Sequence, residues 1–263
     1  MPAVTFLTWP ELAGSGVDAR VTARAGGVSS GPYQSLNMSF AVGDEPASVL
    51  ENRRRVAAAF GARLDDFVFA RQVHGAGVGV VGDPDRGRGA LTQDDAIPDT
   101  DALVTTSPDV LLAILTADCV PIVLHDPVAG VLACVHSGWR GTVARIGAAA
   151  VAAMGTLGSA PADIVAGIGP AIDPARYQVG PEVHAAVTEA FGETAGSCIR
   201  PDAGYDGRWL LDLWAANRIV LRDAGLGEEN IHVTTIPTGG DFFSDRAERP
   251  CGRLALLARL ETR

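Results

Sequence analysis

His74 in RQVHG, Cys119 in TADCVP and His136 in VHSGWRG are the residues whose types could act together in this chain. A thiolate with two imidazoles is a borderline-soft ligand set that suits Zn²⁺, with Cu²⁺ as the second choice. Three protein ligands also leave a coordination position open for water or a substrate, which points to chemistry rather than a structural clamp. The ligands lie 45 and then 17 residues apart and no C-x-x-C pair anchors them, so spacing by itself is a weak signal.

Two neighbours extend the set. Asp118, just before Cys119, is a candidate proton-transfer group or an anchor for a ligand histidine; as a turn residue it could equally bond nearby backbone amides. Arg140 in HSGWRG follows His136 at the expected start of a helix, and its planar fork suits phosphate or carboxylate. Trp139 is expected to pack. His125, His184 and His232 have no partner residues nearby, and Cys134 sits within an apolar run as a small buried hydrophobe. The Arg53–Arg55 run is expected on a solvated helix face, and GIGP lacks the full dinucleotide fingerprint.

Elements that could position these residues follow from periodicity. DARVTAR (18–24) alternates as a strand, and the Gly- and Ser-rich stretch after it is a loop long enough to suspect function. PASVLENRRRVAAAF (46–60) reads as a helix with proline in its first turn and Gly61 past its end. DDFVFARQVHG is expected as a strand running into His74, and TDALVTT (100–106) as another. VLLAILT (110–116), CVPIVLH (119–125) and GVLACVH (130–136) are nearly continuous apolar runs, expected as strands covered on both faces, the last two joined by a DPVAG hairpin. An alanine-rich helix from TVARIGAAAVAAMGTLG, the strand IVAGIGPAI, helices over 181–191 and 209–226, and late strands in HVTTI and RLALLARL complete an α+β reading.

Composition sets bounds. A formal charge of −10 argues against nucleic-acid or anionic-membrane partners, because both reward a basic face. Any phosphate must therefore be caught locally. The N-terminal stretch does not read as a signal peptide and no run approaches a membrane span. Four cysteines are too sparse for a disulfide framework, so a reduced, cytoplasmic setting is expected.

Taken together, TARAGGVSSGPYQSLNMSFAVGD, ENRRRV, RQVHG, TDALVT, TADCVP, VHSGWRGT, GPAI and FFSDR, in that order over nearly the whole length, resemble the YfiH-like family. Its members are called laccase-domain or polyphenol oxidases and, more recently, purine nucleoside phosphorylases. The resemblance implies a single domain over residues 1–263, a four-layer αββα sandwich with mixed sheets, and a zinc triad at His74, Cys119 and His136. It implies action on purine nucleosides with phosphate, namely phosphorolysis of adenosine, inosine and methylthioadenosine, with adenosine deamination and copper-dependent phenol oxidation also attributed to the family. Asp118 and Arg140 are the expected catalytic residues, and Asn37, Gln72, Arg140 and Arg246 the expected substrate-binding set. The chain departs from the family pattern late: Gln178 stands in YQVG where relatives often carry a carboxylate, IPTGG (236–240) replaces a longer loop with a cysteine–threonine pair, and Ala247 replaces a second arginine.

Other chemistries compete with this reading. Cys119 with a histidine base could serve a cysteine hydrolase or deamidase. Five histidines are few for a multicopper oxidase. A non-catalytic protein with a structural zinc would need a fourth ligand, for which the sequence offers no obvious residue.

Overall fold

A computed structural model describes residues 3–261. The first strands, β1 (Phe6–Thr8) and β2 (Val17–Thr22), precede a long irregular stretch and then helix α1 (Pro46–Phe60). Gly61 closes that helix in the left-handed region, as glycine readily does. Short strands β3 (Phe67–Phe69) and β4 (Val78–Val80) flank the irregular segment that carries His74, so the strand expected to run into His74 stops five residues earlier.

The central runs form β5 (Ala102–Thr105), β6 (Leu111–Thr116), β7 (Val120–Asp126) and β8 (Val131–Ser137), nearly all of their residues buried. The expected alanine-rich helix is broken into α2 (Trp139–Val143) and α3 (Ile146–Thr156), because Arg145 between them has φ 59° and cannot continue a right-handed helix. Next come β9 (Val165–Ile168), β10 (Gln178–Val179), α4 (Pro181–Phe191), β11 (Ile199–Pro201) and β12 (Trp209–Leu211). Helix α5 (Leu213–Asp223) starts later than the sequence suggested: Trp209–Leu211 pair with β11, and the Asp212 side chain caps the helix by accepting from Ala215 N at 2.9 Å. The chain finishes with β13 (Ile231–Val233), the short α6 (Asp245–Glu248) and β14 (Leu254–Leu260).

Two mixed sheets dominate. One has the order β1-β2-β14-β6-β3 and the other β13-β9-β7-β8-β5-β4, with β10-β12-β11 as a small third sheet. Leu112, Ile114, Leu254 and Leu256 of the five-stranded sheet meet Leu103, Val123, Leu132 and Cys134 of the six-stranded sheet in one core. Alternation sends Leu111 and Ala113 the other way, against Val56 and Phe60 of α1. The outer face of the six-stranded sheet packs on Ile146, Ala150, Val220 and Leu221 of α3 and α5. Strands covered on both faces explain why these runs lack a polar alternation. No helix among the described residues is long and apolar enough to cross a membrane.

The connection from β6 to β7 sets up the site. Residues 117–119 leave one sheet and enter the other, so Cys119 stands on the rim between them. Register pairs Val120 with Ser137 and Pro121 with His136, which brings the end of β8 beside the start of β7.

Candidate metal centre and its cleft

The donor atoms of His74, Cys119 and His136 lie within 4.8 Å of one another. The two imidazoles meet edge to face, with ring centroids 4.7 Å apart. His136 is buried, Cys119 half-buried and His74 exposed, so the group opens on one side. Three converging N and S donors fit a borderline-soft divalent cation, and the open side fits a site that admits a substrate.

Local backbone geometry holds this arrangement. His74 has φ 60° and Asp118 φ 80°, left-handed values that cost a non-glycine residue roughly 1 kcal/mol or more. Asp101 supports the first of these. Its carboxylate is fully buried and accepts from the backbone N–H groups of Val73 (3.1 Å), His74 (3.0 Å) and Gly75 (2.8 Å). The same carboxylate lies 2.8 Å from His136 Nδ1. That contact fixes the ring and leaves Nε2 for the centre, the usual carboxylate–histidine support of a metal ligand. Asp101 thus orients His136 through that ring contact and His74 through its backbone.

Gly138 completes the fit. A Cβ there would come 2.7 Å from the Cys119 sulfur and 3.3 Å from a His74 ring carbon, so only glycine allows the chain to pass behind the ligands. The turn after His136 is locked by a buried network. Ser137 Oγ donates to Asn217 Oδ1 at 2.6 Å, Asn217 Nδ2 donates to Thr142 Oγ1 at 3.1 Å, and Thr142 Oγ1 donates to Gly138 O at 2.9 Å.

Electrostatics follow the same contacts. Burial alone would push the Cys119 thiol up; His136, and then His74, outweigh it and hold the thiol down at about 6. Burial would lower the His136 imidazole, yet the Cys119 sulfur and Asp101 raise it to about 9. Burial would raise Asp101, but the hydrogen bonds from His136, Gly75 and Val73 hold it below the usual carboxylate range. The thiolate form that a metal ion needs is favoured by the fold itself.

A cleft of about 670 Å³ extends from the triad. Arg140, Arg246, Arg249 and Arg253 line it against the carboxylates of Asp118 and Asp245 and the Cys119 sulfur, a local positive field on an acidic chain. The Arg140 guanidinium lies over Trp139 at 4.6 Å, and that of Arg246 over Tyr177 at 5.1 Å. Helix α2 is only five residues long and already contains Arg140, so the expected helix-end attraction reduces to the side chain's own charge. Burial pushes the Tyr177 hydroxyl up to about 12, so it faces the cleft as a proton-bearing donor.

The other sequence-predicted residues fall out unevenly. Asp118 lines the cleft but is not the anchor of a ligand histidine, the role filled by Asp101. Its Oδ1 accepts from Thr238 Oγ1 and from Ser244 Oγ (2.8 Å), and its Oδ2 from Arg246 N (2.6 Å), which ties down the 238–246 loop. Gln72 lines the cleft with its amide already spent, donating to Leu115 O and accepting from Leu115 N, both at 2.7 Å. Asn37 stands apart from the cleft. It is fully buried and off the cleft wall; Oδ1 accepts from Ser39 N and Arg253 N, while Nδ2 donates to Ser39 O and Asp44 Oδ2. Arg53 corrects the solvated-face expectation, being 2% exposed.

Sequence reasoning passed over Asp101, Tyr177, Asp245, Arg249 and Arg253. TDALVT contained the first of these, but no local pattern says that an aspartate at a strand's start will reach a histidine 35 positions on.

Comparison with known proteins gives concordant results. A family model described as "Multi-copper polyphenol oxidoreductase laccase" matches residues 18–261. A Deinococcus radiodurans protein named purine nucleoside phosphorylase is 42% identical over 248 residues, covering 94% of this chain and 89% of that one. The crystal structure of YlmD from Geobacillus stearothermophilus superposes with a TM-score of 0.90 at 37% identity, covering 97% of this chain and 94% of the other. The Bacillus licheniformis hypothetical protein YfiH superposes with a TM-score of 0.90 at 35% identity, with 93% of both chains covered.

Proposed function

Because the chain belongs to the laccase-domain family that also holds the YfiH and YlmD proteins, we propose that it is a zinc-dependent purine nucleoside phosphorylase. Its substrates are adenosine, inosine and methylthioadenosine, and it releases the base with the pentose 1-phosphate. The observation that carries this reading is one cleft with the His74–Cys119–His136 group at its base and four arginines along its wall.

In phosphorolysis the C1′–N9 bond breaks, a C1′–O bond to phosphate forms, and the base leaves with a proton on nitrogen. Charge develops as a cation on the ribose, so an anion held close by gains stabilisation as the bond breaks. Arg140 and Arg246, which line the cleft, would bind that phosphate with charge-assisted hydrogen bonds. Trp139 and Tyr177 offer aromatic faces for the base. Asp118 acts by holding Arg246 and the 238–246 loop, since three hydrogen bonds already engage its oxygens. His74, Cys119 and His136 would hold Zn²⁺, which supplies Lewis-acid polarisation of an oxygen and a lowered pKa for bound water.

The test is inosine incubated with pure protein, with and without phosphate. Hypoxanthine and ribose 1-phosphate should appear only with phosphate; release independent of phosphate overturns the reading. Adenosine deamination is a side activity of the same site, read as inosine formed in the absence of phosphate. It runs without the H-x-E and P-C-x-x-C pairing of known zinc deaminases, which this sequence lacks.

One observation favours a second reading. Cys119, His136 and Asp101 stand in the relay order of nucleophile, base and orienting carboxylate, with the thiol depressed to about 6. A cysteine hydrolase or deamidase would keep its activity under chelation and trap a covalent adduct on Cys119; activity lost with the metal removes this reading. Copper-dependent phenol oxidation ranks last, since five histidines cannot build a multicopper centre alongside the triad.

A further inference from the structure

Arg53 is 2% exposed, yet no carboxylate pairs with it among the described residues. Its guanidinium lies 3.8 Å from the Phe69 ring centroid and 4.3 Å from that of Phe40. Nε donates to Met38 O at 2.9 Å, and Nη1 to Gly89 O and to Ala90 O (3.0 Å). Nη2 has no acceptor among the described residues. Burial pushes the group down to about 9. Nη2 is not sealed in the core: unlike His125 Nδ1, Asp126 Oδ2 and Ser159 Oγ it keeps contact with open space, where a further acceptor can reach it.

Its position gives that contact a place. Arg53 lines a small annex of about 20 Å³ together with Phe40, Phe69 and Gln93. Ser39, Ala70, Gln93 and Leu115 line both this annex and the main cleft, so the two adjoin. The Gln93 side chain makes no hydrogen bond among the described residues. One water-sized group needs roughly 10–15 Å³, so the annex admits an atom or two of a larger ligand lying in the cleft. A phosphate is too large for it, and the cleft arginines already offer phosphate a wider berth.

We propose that Arg53 and Gln93 read the lactam edge of a 6-oxopurine, so that this enzyme discriminates in favour of inosine-type nucleosides over adenosine-type ones. The proposal rests on the nucleoside reading of the cleft. A guanidinium only donates, so it matches a carbonyl oxygen and opposes an amino group. The Gln93 amide can accept from the adjacent N1–H while Arg53 Nη2 donates to the 6-oxo group. Adenine would instead present its amino group to a donor, so adenosine-type nucleosides remain substrates but are turned over less well than those that complete the contact.

The test compares kcat/KM for inosine and adenosine in the wild type, Arg53→Met and Gln93→Leu, with metal content and thermal melting of each. The inosine-to-adenosine ratio should favour inosine in the wild type and fall about tenfold to a hundredfold in Arg53→Met, the scale of one opposed buried donor. It should fall several-fold in Gln93→Leu, which sits on the cleft wall and keeps the test alive if Arg53→Met does not fold. Equal losses for both nucleosides, or an unchanged ratio in the folded variants, overturn the assignment and leave Arg53 as structural support. Calorimetry with free hypoxanthine and adenine separates the two readings. Hypoxanthine binding that depends on Arg53 without any phosphorolysis would keep the annex and remove the phosphorylase, whereas phosphate-dependent turnover with no base preference would do the reverse.

Discussion

On one side of the cleft, Asp101 is fully buried and its carboxylate touches a ring and three backbone amides. On the other, the Arg249 side chain is 78% exposed and bonded to a single partner, Asp245. In the ligand wall, Cys119 and His136 stand at the ends of the central strands β7 and β8, and His74, on an irregular segment, is held by its backbone bond to Asp101. Apart from Arg140 in α2, the arginine wall hangs on a four-residue helix and on loops, with Asp118 bonding Thr238, Ser244 and Arg246 N as its principal tie. Over-determined geometry suits a centre whose ligands must stay within a fraction of an ångström, while an adaptable wall suits a substrate that has to enter and leave. The three positions at which the sequence pattern suggests a departure, Gln178, IPTGG (236–240) and Ala247, fall on the looser side. Gln178 donates to Asp202 and its carbonyl accepts from Arg246, Thr238 of IPTGG bonds Asp118, and Ala247 N donates to Ser244 Oγ.

This contrast can be broken by substitution. Cys119→Ala or His136→Ala should abolish both metal retention and turnover with modest loss of stability, read by metal analysis alongside the phosphate-dependent assay. A variant that keeps its metal would show that the ligand wall is not a ligand wall. Asp101→Asn should come next, weakening metal affinity by about 10–100-fold as loss of a histidine's support does, measured by competition with a chelator. Unchanged affinity would mean that the backbone alone orients the ligands.

The arginine wall should respond differently. Arg140→Ala should leave metal content intact and raise the apparent KM for phosphate by about tenfold to a hundredfold, the scale of one charge-assisted hydrogen bond. Identical phosphate kinetics would remove its assigned role. Asp118→Asn should give the smallest effect, a several-fold rise in the same KM with metal still bound, because the amide keeps part of the loop's hydrogen bonding. Loss of metal in that variant would join the two walls and erase the distinction.

Much of the framework was legible because its causes are local. The apolar runs around Leu111, Val120 and Val131 could only be covered strands, and Pro46–Phe60 carries its own start and stop signals. The misreadings came where distant chain overrides local pattern. Three apolar residues at 209–211 continue a helical period but are captured by β11. Arg53 looks like one of three solvated arginines until Phe40, Phe69 and three carbonyls close around it.

Residue types and their motif settings determined which atoms could ligate a metal, since only thiolate and imidazole donors at strand ends offered that chemistry. They determined the central sheet too, because a period of two or of none is a property of neighbouring residues. Tertiary structure alone decided what holds those atoms in place. Asp101 reaches across 35 positions to His136, and Asp118 reaches across 126 to Ser244, away from the ligands it sits beside. Such contacts depend on which strands become neighbours, and the physical reason they stay hidden is that a carboxylate's partner is chosen by proximity in space, on which its immediate sequence places no constraint.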